Sequence, residues 1–158
     1  MFDGFDTRTV NGIHLRVGGE GPPLLLLHGY PQTHAMWHRV APGLAAAGRT
    51  VVCPDLRGYG ASHKPPAGEG HVGYAKRTMA AELVAVMAEL GFDRFALAGH
   101  DRGGRVAYRM ALDHPETITR LATLDIVPTL DTWESLRGTG TLGAFHWPFL
   151  AQPAPFPE

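Results

Sequence analysis

Cysteine is almost absent from this sequence: among its 158 residues there is only Cys53. A single cysteine cannot form an internal disulfide, which predicts a reducing compartment and hence a cytoplasmic protein. The segment 1–6 has neither the basic start nor the apolar core of a secretory signal, so no signal peptide is expected. No apolar run reaches the roughly 18 residues that a membrane-spanning helix requires, so no membrane association is expected.

An excess of charge of either sign is also missing. The 14 Lys and Arg residues nearly balance the 15 Asp and Glu residues, which gives a formal net charge of −1. Without a basic field, binding to nucleic acid or to an anionic membrane surface is not expected. The His, Cys and acidic residues show no metal-ligand spacing, and there is no glycine-rich loop of the P-loop or dinucleotide type. We therefore expect neither a metal nor a cofactor.

What the sequence does contain is a glycine-flanked aspartate between a predicted strand and a predicted helix. The apolar run 95–98 leads into Gly99, and Asp101 stands midway between Gly99 and Gly103. This is the layout of a nucleophile elbow, in which a tight turn raises one reactive side chain above the edge of a sheet. A carboxylate at that position attacks saturated carbon by displacement and leaves an ester on the enzyme. The alternative is an aspartate that only caps the helix.

Strand and helix patterns alternate along the chain. Alternating residues flank Asn11-Gly12, which predicts a hairpin. Apolar runs predict strands at 23–27, 50–54, 95–98 and 118–124, and helical spacing predicts helices at 33–47, at 74–90 and from the elbow to about 114. Within the first of these helices, Pro42 predicts a kink or a restart. This order predicts an α/β fold with a mostly parallel sheet that is covered by helices on both faces.

The composition of the chain changes near residue 128. From there on prolines interrupt the sequence and aromatic residues cluster at 145–149, with one short helix expected at 131–137. Such a segment does not read as another strand–helix unit. We therefore divide the chain into a core at 1–127 and the start of a cap or lid at 128–158.

Two arginines follow the aspartate on the predicted helix. Arg102 and Arg105 are three residues apart and so share a face of the helix. Their guanidinium groups suit a small carboxylate, which arginine can bind with two parallel hydrogen bonds. The alternative is that they serve only solubility. Cations are unfavourable at a helix N-terminus, however, which favours a functional role.

Three segments carry a resemblance to a known family: His28-Gly-Tyr-Pro-Gln-Thr-His-Ala-Met-Trp-His-Arg39, Asp55-Leu-Arg-Gly-Tyr-Gly60 and Gly99-His-Asp-Arg-Gly-Gly-Arg-Val-Ala-Tyr-Arg109. With them the sequence resembles the α/β-hydrolases, and more narrowly the haloacetate (fluoroacetate) dehalogenases. The narrower resemblance also rests on Leu124-Asp-Ile126 and Phe145-His-Trp-Pro148. It covers the chain, but only the first half or so of such an enzyme. The family continues with the rest of the cap, two more strands and the loop of the catalytic histidine.

The resemblance implies a reaction and a role for four residues. Asp101 would displace halide from a haloacetate, and water would then hydrolyse the ester to glycolate without a cofactor. Arg102 and Arg105 would hold the substrate carboxylate. The backbone N–H groups of Tyr30 and Arg102 would form the oxyanion hole for the ester hydrolysis.

The family pattern also implies roles for three residues near the end of the chain. His146 and Trp147 resemble the halide-binding pair, because their ring N–H groups can donate to a departing halide; the alternative is packing within an aromatic lid. Asp125, at the end of a predicted strand, matches the acid that orients the catalytic histidine. None of the histidines follows a late strand, so the general base is not identified in this chain.

Three functions remain compatible with the sequence. The first is a haloacetate dehalogenase that is incomplete in this chain. The second is an epoxide hydrolase or another α/β-hydrolase with an aspartate nucleophile, against which the arginine pair argues. The third is a non-catalytic remnant of the fold. The expected small-molecule partner is a halocarboxylate, and the expected polypeptide partner is a second copy of the chain or the remaining C-terminal part of the protein.

Overall fold

The computed structural model describes residues 1–152, which form two compact units that divide after Ile126. The first unit contains β1 Phe5–Val10, β2 Ile13–Gly18, β3 Pro23–Leu27, α1 Ala41–Ala46, β4 Thr50–Pro54, α2 Lys76–Glu89, β5 Phe95–His100, α3 Arg102–Asp113 and β6 Ile118–Leu124. Short 3-10 helices cover His34–Trp37 and Glu69–Tyr74. The second unit contains α4 Thr129–Ser135, α5 Gly140–Gly143 and α6 His146–Leu150.

β1 and β2 form the predicted antiparallel hairpin. The two residues of its turn, Asn11 and Gly12, have positive φ angles of 50° and 78°. Positive φ at both central positions is the mark of a type I′ turn, whose twist matches that of the paired strands, and Asn-Gly is a favoured pair for it. The sequence predicts this hairpin correctly because the turn depends on local conformation alone.

The strands of the first unit form one sheet in the order β1-β2-β4-β3-β5-β6. Strands β3, β4, β5 and β6 are parallel to one another, and the hairpin joins them through an antiparallel pairing of β2 with β4. The central parallel strands are the continuous apolar runs, which suit strands that are covered on both faces. The predicted α/β fold with a mostly parallel sheet is confirmed.

Alternate residues of the central strands supply two separate cores. On one face, Leu25 and Leu27 of β3 pack with residues of α2 and α3. On the opposite face, Leu26 packs with Trp37 and with Ala41 of α1. Helical segments therefore cover both faces, and the carboxyl ends of β3 and β5 meet at one edge of the sheet, where open α/β folds place their binding sites.

The helix predicted over 33–47 is interrupted, and it restarts beside Pro42 as the proline predicts. The chain forms a 3-10 helix at His34–Trp37 and then begins α1 at Ala41, with Pro42 in its first turn. Proline fits the first turn of a helix, where N–H groups have no partner inside the helix, but it disrupts the hydrogen bonds of a helix interior. Pro42 therefore requires the helix to restart. The helices predicted at 74–90 and after the elbow are confirmed as α2 and α3.

β6 lies at the edge of the sheet and pairs only with β5 among the strands that the structure describes. All of its residues except Ile118 are exposed. An edge with unpaired backbone groups and exposed apolar side chains such as Leu121 and Leu124 is a surface on which a further strand can pair. That a second copy or a further segment of the protein covers this edge stays a prediction.

The second unit consists of short helices without buried residues in the described part. The rings of Trp133 and Trp147 meet edge to face, with centroids 5.3 Å apart. The helix predicted at 131–137 is α4, whereas α5 and α6 were not predicted. None of the helices within residues 1–152 combines the length and the apolar character that crossing a bilayer requires.

Candidate active site

Asp101 occupies the turn between β5 and α3 with a strained backbone, at φ 48° and ψ −116°. Residues other than glycine rarely adopt positive φ, and the surrounding structure must impose it. A Cβ atom on Gly103 would lie 2.5 Å from the carbonyl oxygens of Leu27 and His28. A Cβ atom on Gly99 would overlap the carbonyl oxygen of Gly103. Only glycine fits at these two positions, and the geometry is that of the predicted nucleophile elbow.

The carboxylate of Asp101 is held at one of its two oxygens. Its Oδ1 accepts a hydrogen bond of 2.8 Å from the backbone N–H of Tyr30. The loop that carries Tyr30 is itself fixed, because the side-chain Oε1 of Gln32 accepts a 3.0 Å hydrogen bond from the N–H of Gly29. A Cβ atom on Gly29 would lie 2.7 Å from the Cβ of Asp101. The structure thus brings one of the two predicted oxyanion donors, Tyr30, into contact with Asp101.

The two predicted carboxylate-binding arginines lie in the first turns of α3. Arg105 is buried, with 7% of its surface exposed. The guanidinium carbon of Arg102 lies 5.5 Å from the ring centroid of Tyr30 and 6.0 Å from that of Tyr59. Its Nε is buried and has no hydrogen-bond partner among residues 1–152. A guanidinium group that two rings hold in place, with a buried donor still free, is suited to bind an anion.

Asp125 follows β6 directly and has left-handed backbone conformation, with φ 53°. Because β5 and β6 are parallel neighbours, Asp125 lies at the same edge of the sheet as Asp101. Its side chain is 89% exposed, and its Oδ2 lies 3.7 Å from Nε2 of His100. Its role in orienting a catalytic histidine stays a prediction. Within residues 1–152, no histidine hydrogen-bonds the carboxylate of Asp101, so a general base is not identified there.

The predicted halide-binding residues, His146 and Trp147, begin α6 in the second unit. The ring of His146 meets that of Phe145 with centroids 6.3 Å apart, and Trp147 packs on Trp133. These contacts are those of aromatic packing. The halide-binding role of the pair stays a prediction.

His28, whose carbonyl oxygen faces Gly103 of the elbow, is fully buried. Its Nε2 accepts a 2.9 Å hydrogen bond from the N–H of Leu56, so Nδ1 carries the proton and donates to the carbonyl oxygen of Gly29 at 2.8 Å. Burial lowers the pKa of this imidazole below its ordinary value of 6.5. His28 therefore fixes the loop that carries Tyr30 while it is neutral.

We expect His28 to make the fold sensitive to mild acid. Its pKa is lower in the folded chain, so the unfolded chain takes up the proton first. The stability that neutral His28 contributes is complete above about pH 6.5 and is lost as the pH falls toward the folded pKa, at up to about 1.4 kcal/mol per pH unit. Urea unfolding measured from about pH 8 to about pH 5 should show this decline, and the decline should be smaller in His28→Gln.

His71→Asn is the matched control for this measurement. His71 is exposed and has a positive φ of 56°, a conformation that asparagine tolerates well. The control should keep the pH dependence of the unchanged chain. Equal pH dependence in His28→Gln would show that protonation of this imidazole does not govern the acid sensitivity.

One group of potential metal ligands is present that the sequence spacing did not reveal. Atoms of His14, His34 and Asp55 lie within 4.8 Å of one another. No spacing in the sequence indicates this group, because three residues far apart in sequence meet only in the folded chain. The Asp55 carboxylate is buried, however, and already accepts hydrogen bonds from the backbone and ring N–H groups of His34 and the N–H of Ala61. We therefore assign Asp55 to joining these two loops rather than to binding a metal.

Lys76 is a half-buried charged residue for which the sequence indicated no role. It is the first residue of α2, and burial together with the charges of Arg102 and Arg105 lowers the pKa of its ammonium group to about 8. α2 packs against α3, which carries both arginines. The sequence did contain a signal for Lys76: it begins a helix whose first turn has no acidic residue. A cation is unfavourable at that position.

Comparison with known proteins agrees with this geometry. Residues 22–147 match the family model of the alpha/beta hydrolase fold. Over its whole length the chain is 52% identical to a fluoroacetate dehalogenase from Burkholderia sp, of which it covers 53%. It is 43% identical to a soluble epoxide hydrolase from Corynebacterium sp. (strain C12), over 77% of the chain and 41% of that relative. The crystal structure of an α/β-hydrolase from Nostoc sp PCC 7120 is 49% identical with a TM-score of 0.94, over 97% of this chain and 54% of that one.

The chain spans about half the length of the curated relatives it matches. The match to the family model runs from just before β3 into α6, and so includes the parallel strands, the elbow and the helix that carries both arginines. With that match and the elbow geometry together, the chain belongs to the α/β-hydrolase fold family.

Proposed function

We propose that this chain carries the nucleophile and the carboxylate-binding groups of a hydrolase that removes halide from haloacetates. The observation that carries the proposal is Asp101 at the elbow, with its Oδ1 bound by the N–H of Tyr30 and with Arg102 and Arg105 on the helix that follows. The similarity to a fluoroacetate dehalogenase supports it. The similarity to a soluble epoxide hydrolase makes an epoxide the second candidate substrate.

The proposed reaction has two steps. First, Oδ2 of Asp101 attacks the carbon that carries the halogen; a C–O bond forms, the carbon–halogen bond breaks and halide leaves with the bonding electrons. Second, water attacks the ester carbonyl, the N–H of Tyr30 stabilises the charge that develops on Oδ1, and the ester opens to glycolate and free carboxylate. This second step requires a base that removes a proton from the water, and the first step does not.

The two arginines favour an acidic substrate over a neutral one. The carboxylate of a haloacetate is attached to the reacting carbon itself. Groups beside the nucleophile can therefore bind this carboxylate while Oδ2 of Asp101 faces the reacting carbon. Arg102 and Arg105 lie one helical turn apart at the start of α3, directly after Asp101. An epoxide or a haloalkane has no carboxylate for the two guanidinium groups to bind. We therefore expect the site to favour acids over neutral analogues of the same size.

We expect Arg102→Lys and Arg105→Lys each to slow the labelling of Asp101 by bromoacetate about tenfold or more, and to change labelling by neutral bromoacetamide little. Lysine keeps the charge but loses the planar fork, and a hydrogen bond to a charged group contributes roughly 1.5–3 kcal/mol. Labelling is followed by intact-protein mass and peptide mapping, on variants whose folding is checked by circular dichroism.

Arg109→Lys is the matched control, because Arg109 lies on the same helix but pairs with Asp113. Its labelling by either reagent should equal that of the unchanged chain. If Arg102→Lys and Arg105→Lys slow both reagents equally, the carboxylate-binding role is wrong. Faster reaction with a neutral epoxide than with bromoacetate would instead favour an epoxide hydrolase.

The remaining assignments complete the proposal. His146 and Trp147 donate hydrogen bonds to the departing halide, Asp125 orients a histidine base, and the N–H of Arg102 is the second oxyanion donor. The ligand is a halocarboxylate, and the protein acts in the cytoplasm without a cofactor. The exposed edge of β6 pairs with a further segment or with a second copy.

A further inference from the structure

Arg102 is in contact with two tyrosine rings that come from separate loops. Its guanidinium carbon lies 5.5 Å from the ring centroid of Tyr30 and 6.0 Å from that of Tyr59. A cation within about 6 Å of a ring centroid is attracted by the negative face of the ring. Tyr30 belongs to the loop after β3 and Tyr59 to the loop after β4, whereas Arg102 begins α3. Three parts of the fold thus meet at one guanidinium group.

Tyr30 connects this guanidinium group to the proposed nucleophile. Its backbone N–H donates to Oδ1 of Asp101 at 2.8 Å, while its ring contacts Arg102. One residue therefore contacts both the carboxylate that would attack the substrate and the arginine that would bind it. These contacts place the guanidinium group of Arg102 at the Asp101 site.

The turn that carries Tyr59 is fixed by its own backbone and by a buried carboxylate. The N–H of Tyr59 donates to the carbonyl oxygen of Leu56 at 2.9 Å, and its carbonyl oxygen accepts from the N–H of Ser62 at 3.1 Å. Gly60 has a positive φ of 49°, and a Cβ atom there would overlap the carboxylate of Asp55. The backbone on either side of Tyr59 therefore has little freedom to move.

The ring of Tyr59 is held by the core as well. It meets the ring of His28 edge to face, with centroids 5.1 Å apart, and His28 is fully buried. It also packs against the core cluster that contains Leu83 of α2. Burial raises the pKa of the Tyr59 phenol, so the ring stays uncharged at neutral pH. Tyr59 is therefore a fixed neighbour of Arg102, and Tyr30, at 43% exposure, is the more exposed of the two tyrosines.

Contact with two rings favours the binding of a carboxylate by Arg102. An arginine side chain that binds a carboxylate with two parallel hydrogen bonds loses rotational freedom. Rings that already restrict the guanidinium group reduce this loss, because the group is ordered before the ligand arrives. The rings attract its charge and supply no oxygen acceptor, so their contact is compatible with a carboxylate on its N–H groups. A neutral substrate gains less from this order, because it has no carboxylate to bind.

We propose that Tyr59 and Tyr30 are positioning residues, whose rings hold the guanidinium group of Arg102 ready for the substrate carboxylate and thereby strengthen the preference for acids. The inference rests on the proposed function, because it takes the ligand to be the haloacetate anion. Both tyrosines act through Arg102 by means of the ring. Their hydroxyl groups are not required for this role.

The test divides the rate at which bromoacetate labels Asp101 by the rate for neutral bromoacetamide. Tyr59→Leu should lower this ratio about fivefold, the effect of one partly buried contact between a cation and a ring. Tyr30→Leu should lower it about threefold, because Tyr30 is more exposed, and it keeps the backbone N–H that binds Asp101. Tyr59→Phe and Tyr30→Phe retain the rings and should retain the ratio. An unchanged ratio in both leucine variants, or an equal fall in the phenylalanine variants, would overturn the inference.

Leu83→Ala is the control that separates positioning from stability. It removes a buried side chain from the core against which Tyr59 packs. It should lower the melting temperature and retain the ratio of the unchanged chain. A ratio that falls as far as in Tyr59→Leu would show that the preference for acids follows stability alone, and the positioning role would be wrong. If Tyr59→Leu does not fold, Tyr30→Leu decides, because its side chain is exposed.

Arg102→Met tests whether the rings act through the guanidinium group. In this variant the ratio should already be low, and the addition of Tyr59→Leu should not lower it further, because two residues that act through one contact are not additive. A second fall of about fivefold in the double variant would mean that the Tyr59 ring acts by another route, which contradicts the inference.

The inference and the proposed function can fail separately. Acetate binding, followed by NMR chemical shifts, requires no reaction at Asp101. If acetate binds about fivefold more weakly to Tyr59→Leu but bromoacetate forms no ester in the unchanged chain, the positioning role stands and the displacement chemistry is wrong. If the ester forms and neither the rate ratio nor acetate binding depends on either ring, the displacement chemistry stands and the positioning role is wrong.

Discussion

Asp101→Asn is expected to abolish ester formation with haloacetates, with a rate that falls about 10⁴-fold or more, the scale on which loss of a catalytic nucleophile acts. An amide oxygen is a far weaker nucleophile than a carboxylate. The substitution leaves the rest of the turn intact, because asparagine tolerates the positive φ of residue 101 and its Oδ1 can still accept from the N–H of Tyr30. Intact-protein mass and peptide mapping after exposure to bromoacetate measure the loss.

The chain offers a matched control for this substitution. Asp125 is also an aspartate with positive φ at the same edge of the sheet, but it is assigned to the second step of the reaction. Asp125→Asn should therefore form the ester at Asp101 at the rate of the unchanged chain. Ester formation in Asp101→Asn, in protein free of deamidation at residue 101, would show that another group is the nucleophile.

A polypeptide of these 158 residues is expected to release one halide per chain and then stop, with a carboxymethyl ester on Asp101. In the proposed reaction, alkylation uses the carboxylate of Asp101 and the two arginines of the helix that follows it. Hydrolysis of the ester requires a general base, which typically accelerates such a step about 10²–10⁴-fold. Because no histidine of residues 1–152 hydrogen-bonds Asp101, the second step should be slow. Chloro- and bromoacetate are better reagents than fluoroacetate, since both halides leave more easily.

Halide release and the mass of the chain are measured together over time. A burst equal to the protein concentration, with a stable adduct that maps to residue 101, is the expected result. Steady release over many turnovers would mean that the chain contains a base, and His100→Gln and His146→Gln would then identify it. His100 is the first of these to test, because its Nε2 lies 3.7 Å from Asp125. Release without any adduct on residue 101, or no release at all, would favour a non-catalytic remnant.

The parts of the structure that depend on local sequence could be predicted. Asn11-Gly12 determines its turn because both residues accept positive φ. The elbow could be predicted for a similar reason, since the close approach of strand and helix excludes any side chain at Gly99 and Gly103. The apolar run at 23–27 predicted a strand that is buried on both faces, and such a strand lies in the interior of a parallel sheet.

The parts that depend on contacts between distant residues could not be predicted. Asp55 bonds both His34 and Ala61, and no spacing in the sequence relates these three. Arg77 and Asp113 meet only because α2 packs on α3. The apolar spacing over 33–47 did not show where the chain would leave the α-helix, whereas Pro42 marked the restart of α1.

The single hydrogen bond between Tyr30 and Asp101 makes the two carboxylate oxygens chemically unequal. The proposed attack uses the outer oxygen, Oδ2, which becomes the bridging atom of the ester and leaves with the product. The inner oxygen, Oδ1, becomes the carbonyl oxygen and stays where the N–H of Tyr30 already points. Each cycle of the proposed reaction would then exchange the outer oxygen for one from water and retain the inner one. Oxyanion stabilisation would need no reorientation of the loop, because its donor is in place before any substrate arrives.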